Sequence, residues 1–201
     1  MQHVLDVAAR AFAERGFHDV SMDEIAAAAG VSKPVVYSHF ESKDGLYEAV
    51  LLHAGDELAE RVRGGATAAD APEERLWGGI LAFVETVEEH PDWWLLTRRA
   101  AVAGEPFVGM ARRVGDEITE LISGLFVEGA ELAGVSGGAV VIEPLAQAFH
   151  GACAALADWW ISHPEVPAGT VAITLMNMMW MGFGDLVEAN VWLPPEARED
   201  S

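Results

Sequence analysis

The segment from residue 21 to residue 43 constrains the fold most, because it carries two short helical signatures separated by one tight turn. Ser21, with Glu24 three residues later, is a capping box that starts the first of these helices. Gly30 ends that helix, and Ser32 with Pro34 just behind it is typical of the start of the next. The pattern predicts a helix-turn-helix, although a plain bundle of three helices with solvated polar faces would also produce it.

The rest of the chain indicates helices only. An apolar stripe through Val4, Ala8 and Phe12 predicts a first helix over residues 2–15 that stops at Gly16. Ser42 is placed to cap a fourth helix that reaches about residue 63, followed by a loop of small residues over 64–72. Apolar periodicity and breaks at Gly and Pro predict further helices over about 73–90, 93–103, 107–132, 143–163 and 167–192. We therefore expect an all-α protein of about nine helices.

The domain organisation follows from this pattern. Residues 1–47 are expected to form a three-helix DNA-binding domain, residues 48–193 a helical regulatory and dimerisation domain, and residues 194–201 a disordered tail. Cys153 is the only cysteine, and no stretch has the pattern of a signal peptide or a membrane-spanning helix. We therefore expect a cytoplasmic protein with no membrane association.

The charge distribution limits the strength of any contact with nucleic acid. The chain has 12 Lys and Arg against 32 Asp and Glu, a net charge of −20, of which residues 1–47 carry only −3. Its two lysines, Lys33 and Lys43, both lie in the helix-turn-helix segment. Because DNA binding usually rests on a basic surface, we expect weak nonspecific affinity and a strong reliance on local contacts.

The second helix of a helix-turn-helix lies in the major groove, so its outward side chains must reach bases or phosphates. Val36 and Phe40 lie four residues apart and are expected to face inward. The residues expected to contact DNA are those left on the outer side, together with two at neighbouring helix starts: Ser21, Lys33, Pro34, Val35, Tyr37, His39 and Lys43.

These residues also carry a resemblance to a known family. The chain resembles the DNA-binding domain of the TetR family of transcriptional regulators over residues 2–50, and its ending, with Trp159-Trp160 and His163-Pro164, is similar to actinobacterial members. The segments that carry the resemblance are Phe12-Ala13-Glu14-Arg15-Gly16-Phe17, Asp23-Glu24-Ile25-Ala26, Gly30-Val31-Ser32, Tyr37-Ser38-His39-Phe40 and Ser42-Lys43-Asp44-Gly45-Leu46. The resemblance implies a homodimer that binds a palindromic double-stranded DNA operator and a small effector. It departs from many members in having only Met1-Gln2-His3, without a basic arm, before the first helix.

A largely apolar effector site is expected in the helical domain, since ligand cavities are mostly apolar with a few polar anchors. His150 and Asn177 are polar residues inside apolar stretches, although a satisfied buried group or a contact between subunits would explain each equally well. The candidate effector-binding residues are Phe83, Trp94, Met110, Phe149, His150, Asn177 and Trp180. The last two long helices, rich in Ala and Met, are expected to form the dimer interface.

The sequence thus predicts a ligand-responsive DNA-binding regulator, a repressor released from its operator by the effector. The alternative is a helical small-molecule sensor or interaction module with little DNA affinity. No catalytic motif, metal site or cofactor-binding loop is recognisable, so we expect no enzyme, no metal and no cofactor. Cys153 lies in an Ala-rich helix and is interpreted as a core residue rather than a nucleophile.

Overall fold

The computed structural model describes residues 1–101, 107–132 and 139–187, and for residues 139–141 and 181–187 it describes the backbone only. Within these ranges the chain forms nine α-helices and no strand, as the sequence predicts. The helices are α1 (Gln2–Arg15), α2 (Met22–Ala28), α3 (Lys33–His39), α4 (Lys43–Thr67), α5 (Pro72–Glu89), α6 (Pro91–Ala100), α7 (Phe107–Leu132), α8 (Ala139–Ile161) and α9 (Ala168–Val187). None of the helices in the described part is long and apolar enough to cross a membrane. The predicted tail over residues 194–201 and the predicted end of the last helix at residue 192 lie outside the described residues.

One hydrophobic core holds the first three helices together, and it extends beyond them. Phe12, Ile25 and Val36, from α1, α2 and α3, are each at most 1% exposed in this core. The first half of α4, three buried residues of α6 (Trp93, Leu96 and Ala100) and the start of α7 belong to the same cluster. The N-terminal helices are therefore packed directly on α4 and α6, and a domain boundary at residue 47 stays a prediction.

A second core joins α5, the second half of α7, α8 and α9. Val84, Ala146 and Leu175 are each at most 1% exposed at its centre. The two cores are connected by α7, which contributes to both, and by α4 and α6, which belong to the first core and pack against α5 and α7.

The structure corrects the predicted loop over residues 64–72, because α4 continues through Gly64 and Gly65 to Thr67. A β-carbon built on Gly65 would lie 2.3 Å from the carbonyl oxygen of Gly78 in α5, so the two backbones are in direct contact there. Glycine is a poor helix former, but this close packing against α5 stabilises the last turns of α4.

Candidate nucleic-acid interface and ligand cavity

The helix-turn-helix is built by the local signals that the sequence carries. Ser21 Oγ accepts a hydrogen bond of 3.2 Å from Glu24 N, and the Glu24 carboxylate accepts one of 2.8 Å from Ser21 N, which completes the capping box. Gly30 has φ +66°, a left-handed conformation that glycine adopts without strain. Ser32 is the N-cap residue of α3, but its side chain makes no capping hydrogen bond. The turn therefore depends on Gly30 and the capping box.

The outer side of α3 is open to solvent. Val36 is fully buried, Phe40 is half-buried, and Tyr37 and Val35 are 49% and 40% exposed. All of the predicted contact residues of this helix are exposed, namely Lys33, Pro34, Val35, Tyr37 and His39, and so is Ser21 at the start of α2. A helix that presents a continuous exposed face between two braced ends can enter the major groove of DNA.

Two cations of this region are paired with carboxylates on α2. The Lys33 ammonium forms an ion pair with Asp23, and Arg15 Nη1 lies 2.9 Å from Glu24 Oε1. Hydrogen bonds from Ser21 and then from Arg15 lower the pKa of Glu24 to about 2. Because these pairs are exposed, a phosphate can compete for each cation at little cost.

His39 is oriented by its own helix. Its Nδ1 lies 3.0 Å from the carbonyl oxygen of Val35, so Nδ1 carries the proton and donates it. The other ring nitrogen of a neutral His39 is then an acceptor, which suits an amino group on a base edge; a phosphate would require the protonated ring.

Lys43 lies differently from the other predicted DNA contacts. Its ammonium donates hydrogen bonds to the carbonyl oxygens of Phe17 and Val20, at 2.8 and 3.0 Å, and lies 4.4 Å from the centre of the Phe17 ring. These contacts fasten the start of α4 to the connection between α1 and α2. Sequence reasoning missed this role, since nothing local to residue 43 indicates carbonyls contributed from 23 to 26 residues earlier.

A cavity of about 230 Å³ lies between α4, α5, α6, α7 and α8. Its wall is mostly apolar, and four of the predicted effector-site residues belong to it: Phe83, Trp94, Phe149 and His150. The three others do not line it. Met110 packs against the first core, Asn177 is exposed on α9, and Trp180 is half-buried away from the cavity. Asn177 and Trp180 lie outside the cavity because α9 packs against α5 and α8, and none of its described side chains reaches the wall.

His150 is a polar group in this wall with a defined hydrogen-bond partner. Thr119 Oγ1 donates to the carbonyl oxygen of Gly115 at 2.9 Å and lies 2.7 Å from His150 Nδ1. The Thr119 oxygen therefore accepts the proton of Nδ1, which leaves Nε2 of the neutral ring as an acceptor. Burial, together with the nearby charge of Arg98, lowers the pKa of His150.

Charged side chains also lie at the edge of the cavity, beside the predicted site residue Trp94. Arg98 Nη2 and Trp94 Nε1, both from lining residues of α6, lie 2.8 and 2.9 Å from the two carboxylate oxygens of Asp158 on α8. Arg75, also in the wall, pairs with Glu128 at 2.7 Å. The sequence signal was weak, since the partners lie 53 to 64 residues apart.

Cys153 is a buried residue of the same wall. Burial raises the pKa of its thiol to about 12, so the reactive thiolate is not populated near neutral pH. This agrees with its interpretation as a core residue.

Comparisons with known proteins agree with the geometry. The sequence profile described as "Bacterial regulatory proteins, tetR family" matches residues 4–50. The HTH-type transcriptional activator FasR of Mycolicibacterium smegmatis is 38% identical over 114 residues, which are 57% of this chain and 52% of FasR. The chain thus spans about half the length of that relative.

Solved structures extend the likeness over the whole fold. A TetR-like transcriptional regulator from Rhodococcus sp. RHA1 is 32% identical, with a TM-score of 0.70 over 91% of this chain and 94% of that one. The regulator FadR of Bacillus subtilis, solved in complex with stearoyl-CoA, shares the fold at 14% identity, with a TM-score of 0.75 over 95% of this chain and 99% of its own. With an exposed recognition helix, a family profile on the helix-turn-helix and a full-length relative at this identity, the chain belongs to the TetR family of transcriptional regulators.

Proposed function

We propose that this protein is a homodimeric repressor that binds a palindromic operator through α3 and releases it when a largely apolar effector fills the cavity. We call the N-terminal helices α1–α3 the DNA-binding head. The observation that carries the proposal is that three helices, α4, α6 and α7, contribute both to the core of this head and to the wall of the cavity. Because a DNA target lies in the cytoplasm, this function also agrees with the cytoplasmic location that we expect for the protein.

DNA recognition is assigned to the exposed side of α3. Lys33 is placed to exchange Asp23 for guanine or phosphate, Val35 to contact a thymine methyl group, and Tyr37 to donate its hydroxyl to phosphate. Ser21 and His39 lie at the edges of the same exposed surface. Lys43 contributes indirectly, by holding the connection between α1 and α2 in place.

The dimer interface is assigned to the outer faces of α8 and α9. Trp159 on α8 and Ile173 and Met178 on α9 are 45%, 54% and 48% exposed, which is a high exposure for large apolar side chains. The exposed small residues Gly151 and Ala155 lie on the same helix as Trp159 and would allow close approach of a second copy. Two helices from each subunit would then form a four-helix bundle.

Effector binding is linked to DNA binding through α4 and α6. Leu46, Tyr47 and Val50 of α4 lie in the first core, whereas Leu58 and Val62 of the same helix line the cavity. The stearoyl-CoA held by the FadR structure of the same fold supports an effector with a long apolar part. An effector that fits only one arrangement of α4 and α6 shifts the separation of the two α3 helices, which must lie about 34–36 Å apart on DNA.

The DNA-binding part is tested with a labelled fragment from upstream of the protein's own gene. We expect wild type to retard it at low salt, and Lys33→Ala and Tyr37→Phe to weaken binding about tenfold, or by ~1–2 kcal/mol. Arg63→Ala is the matched control, because Arg63 is an exposed cation on the second half of α4, outside the first core. Equal binding by all four proteins would contradict the assignment of α3.

The alternative function is a helical sensor or interaction module with little affinity for DNA. Two observations favour it: the net charge of −20 and the ion pairing of Lys33 and Arg15 with acidic residues of α2. Selection from a random double-stranded library at low salt separates the two functions. Recovery of a palindromic site supports the repressor, whereas an unenriched library together with ligand binding in the cavity supports the sensor.

A further inference from the structure

A carboxylate is already held at the edge of the cavity, by two donors that also line it. Arg98 Nη2 and Trp94 Nε1 reach Asp158 Oδ2 and Oδ1 at 2.8 and 2.9 Å. Arg98 and Trp94 belong to the cavity wall, but Asp158 does not. The two donors therefore form a binding site for an oxyanion, which a side chain of α8 occupies from the outer side.

The pair between Arg98 and Asp158 is open enough to be exchanged. The side chains of Arg98 and Asp158 are 49% and 38% exposed, and an ion pair in such a position contributes little to stability. Trp94 is half-buried, so its Nε1–H requires a hydrogen-bond acceptor. Either Asp158 or a carboxylate of a ligand can supply that acceptor. An oxyanion brought by a ligand would satisfy both donors as well as Asp158 does.

We propose that the effector is an amphiphile whose apolar chain fills the cavity and whose oxyanion head, a carboxylate or a phosphate, replaces Asp158 on Arg98 and Trp94. This inference rests on the proposed function, because it names the chemical class of the effector of the same cavity.

The other cation of the wall fits this role less well. Arg75 is only 15% exposed and lies 2.7 Å from Glu128, and in the described part of the chain no second donor accompanies it on the same carboxylate. Arg98 also lies on α6, whose Leu96 and Ala100 are fully buried in the core of the DNA-binding head. Exchange at Arg98 releases α6 from α8, and this gives the effector a direct mechanical connection to that head.

The proposal is tested by calorimetric titration of the full chain with three ligands of the same chain length: decanoate, decyl phosphate and decanol. We expect at least one of the anions to bind about tenfold more tightly than decanol, and the tighter anion identifies the natural head group. Arg98→Gln should remove this advantage, so that the anions bind no more tightly than decanol does. Arg99→Gln, an exposed neighbour outside the wall, is the matched control and should bind all three as wild type does.

Asp158→Asn gives a change of the opposite sign. The amide oxygen can still accept from Trp94 Nε1, but the charge that competes for Arg98 is gone, so the anion should bind several-fold more tightly than to wild type. A purely structural role for Asp158 predicts weaker binding of every ligand. This variant also keeps the test decisive if Arg98→Gln does not fold.

Three results would overturn the inference. They are equal affinities for the anions and decanol, equal effects of Arg98→Gln and Arg99→Gln on anion binding, and anion binding that depends on Arg75 rather than on Arg98. Failure of the proposed function would look different. In that case an anion would bind through Arg98, but no ligand would change the retention of operator DNA.

Discussion

The backbones of α4 and α5 touch at Gly65 and Gly78, and a substitution at this contact gives a sharp test of the fold. Gly65→Ala would place a methyl group 2.3 Å from the oxygen and 2.8 Å from the carbonyl carbon of Gly78. Ordinary van der Waals contact starts at 3.4 Å, so α4 and α5 must separate by roughly 1 Å. The neighbouring atoms belong to backbone, which cannot rotate away as a side chain can.

The magnitude follows from two opposing terms. Overpacking of this kind costs about 1–3 kcal/mol, while the better helix propensity of Ala returns about 0.5–1 kcal/mol. We therefore expect Gly65→Ala to lower the free energy of unfolding by about 1–2 kcal/mol. Gly64→Ala is the matched control one residue earlier in α4, where an added β-carbon meets no atom within 4 Å. It should raise the free energy of unfolding by about 0.5 kcal/mol.

The assay is thermal and urea unfolding of wild type and both variants at one protomer concentration, because dimerisation would make the midpoint depend on concentration. For a chain of this size the two variants should differ by about 4–8 °C in Tm. The double variant Gly65→Ala/Gly78→Ala should cost less than the sum of the singles, because the first methyl group already separates the helices. Equal stability of Gly64→Ala and Gly65→Ala would refute the close approach.

Three further predictions concern single side chains. Glu24→Gln should be less stable than wild type above pH 4.5, and this difference in stability should vanish as the pH falls toward 2. The reason is that the pKa of Glu24 is about 2 in the folded state against an ordinary 4.5. Urea midpoints of both proteins across this pH range measure the difference. Because the pKa of His150 is lowered in the folded state, the unfolded chain binds more protons than the folded chain at acidic pH. Wild type should therefore lose stability as the pH falls below 6.5, and His150→Gln should lose less stability in the same series of urea midpoints. Lys43→Met should lower the free energy of unfolding by about 1 kcal/mol in thermal melts, since it leaves the carbonyl oxygens of Phe17 and Val20 without their donor. A drop in operator affinity without a drop in Tm would instead indicate that Lys43 contacts DNA directly.

The DNA-binding head was predictable from sequence because its signals are local. A capping box, a left-handed glycine and a pair of apolar residues four apart each act within a few residues, and the structure contains all three at Ser21–Glu24, at Gly30 and at Val36–Phe40. The sequence could not predict in the same way which cations are paired with other groups of the protein and which are available to DNA. The partners of Lys33 and Lys43 are at least 10 residues away, so their positions depend on how the helices pack.

The cavity was predictable only in part, for the same reason. Aromatic residues in helices are common to a core and to a ligand site, and the difference between Phe149 in the wall and Trp180 outside it depends on which side of α8 and α9 faces α5 and α7. Asn177 stood out as a polar residue among methionines, but its exposed position on α9 makes it part of an outer surface. Hydrophobic periodicity identifies a buried face without indicating whether the space beyond it is filled.

The placement of α6 connects the cavity wall directly to the core of the DNA-binding head. Leu96 and Ala100 are fully buried against the head, while Trp94, Thr97 and Arg98 on the other side of the same helix line the cavity. The helix has only 10 residues, and packed interiors shift between discrete arrangements rather than deform continuously. In the proposed mechanism, a ligand that moves the cavity side of α6 also repacks Leu96 and Ala100 against α1 and α4. The difference in the effector's affinity for the two packings then limits how far it can weaken operator binding.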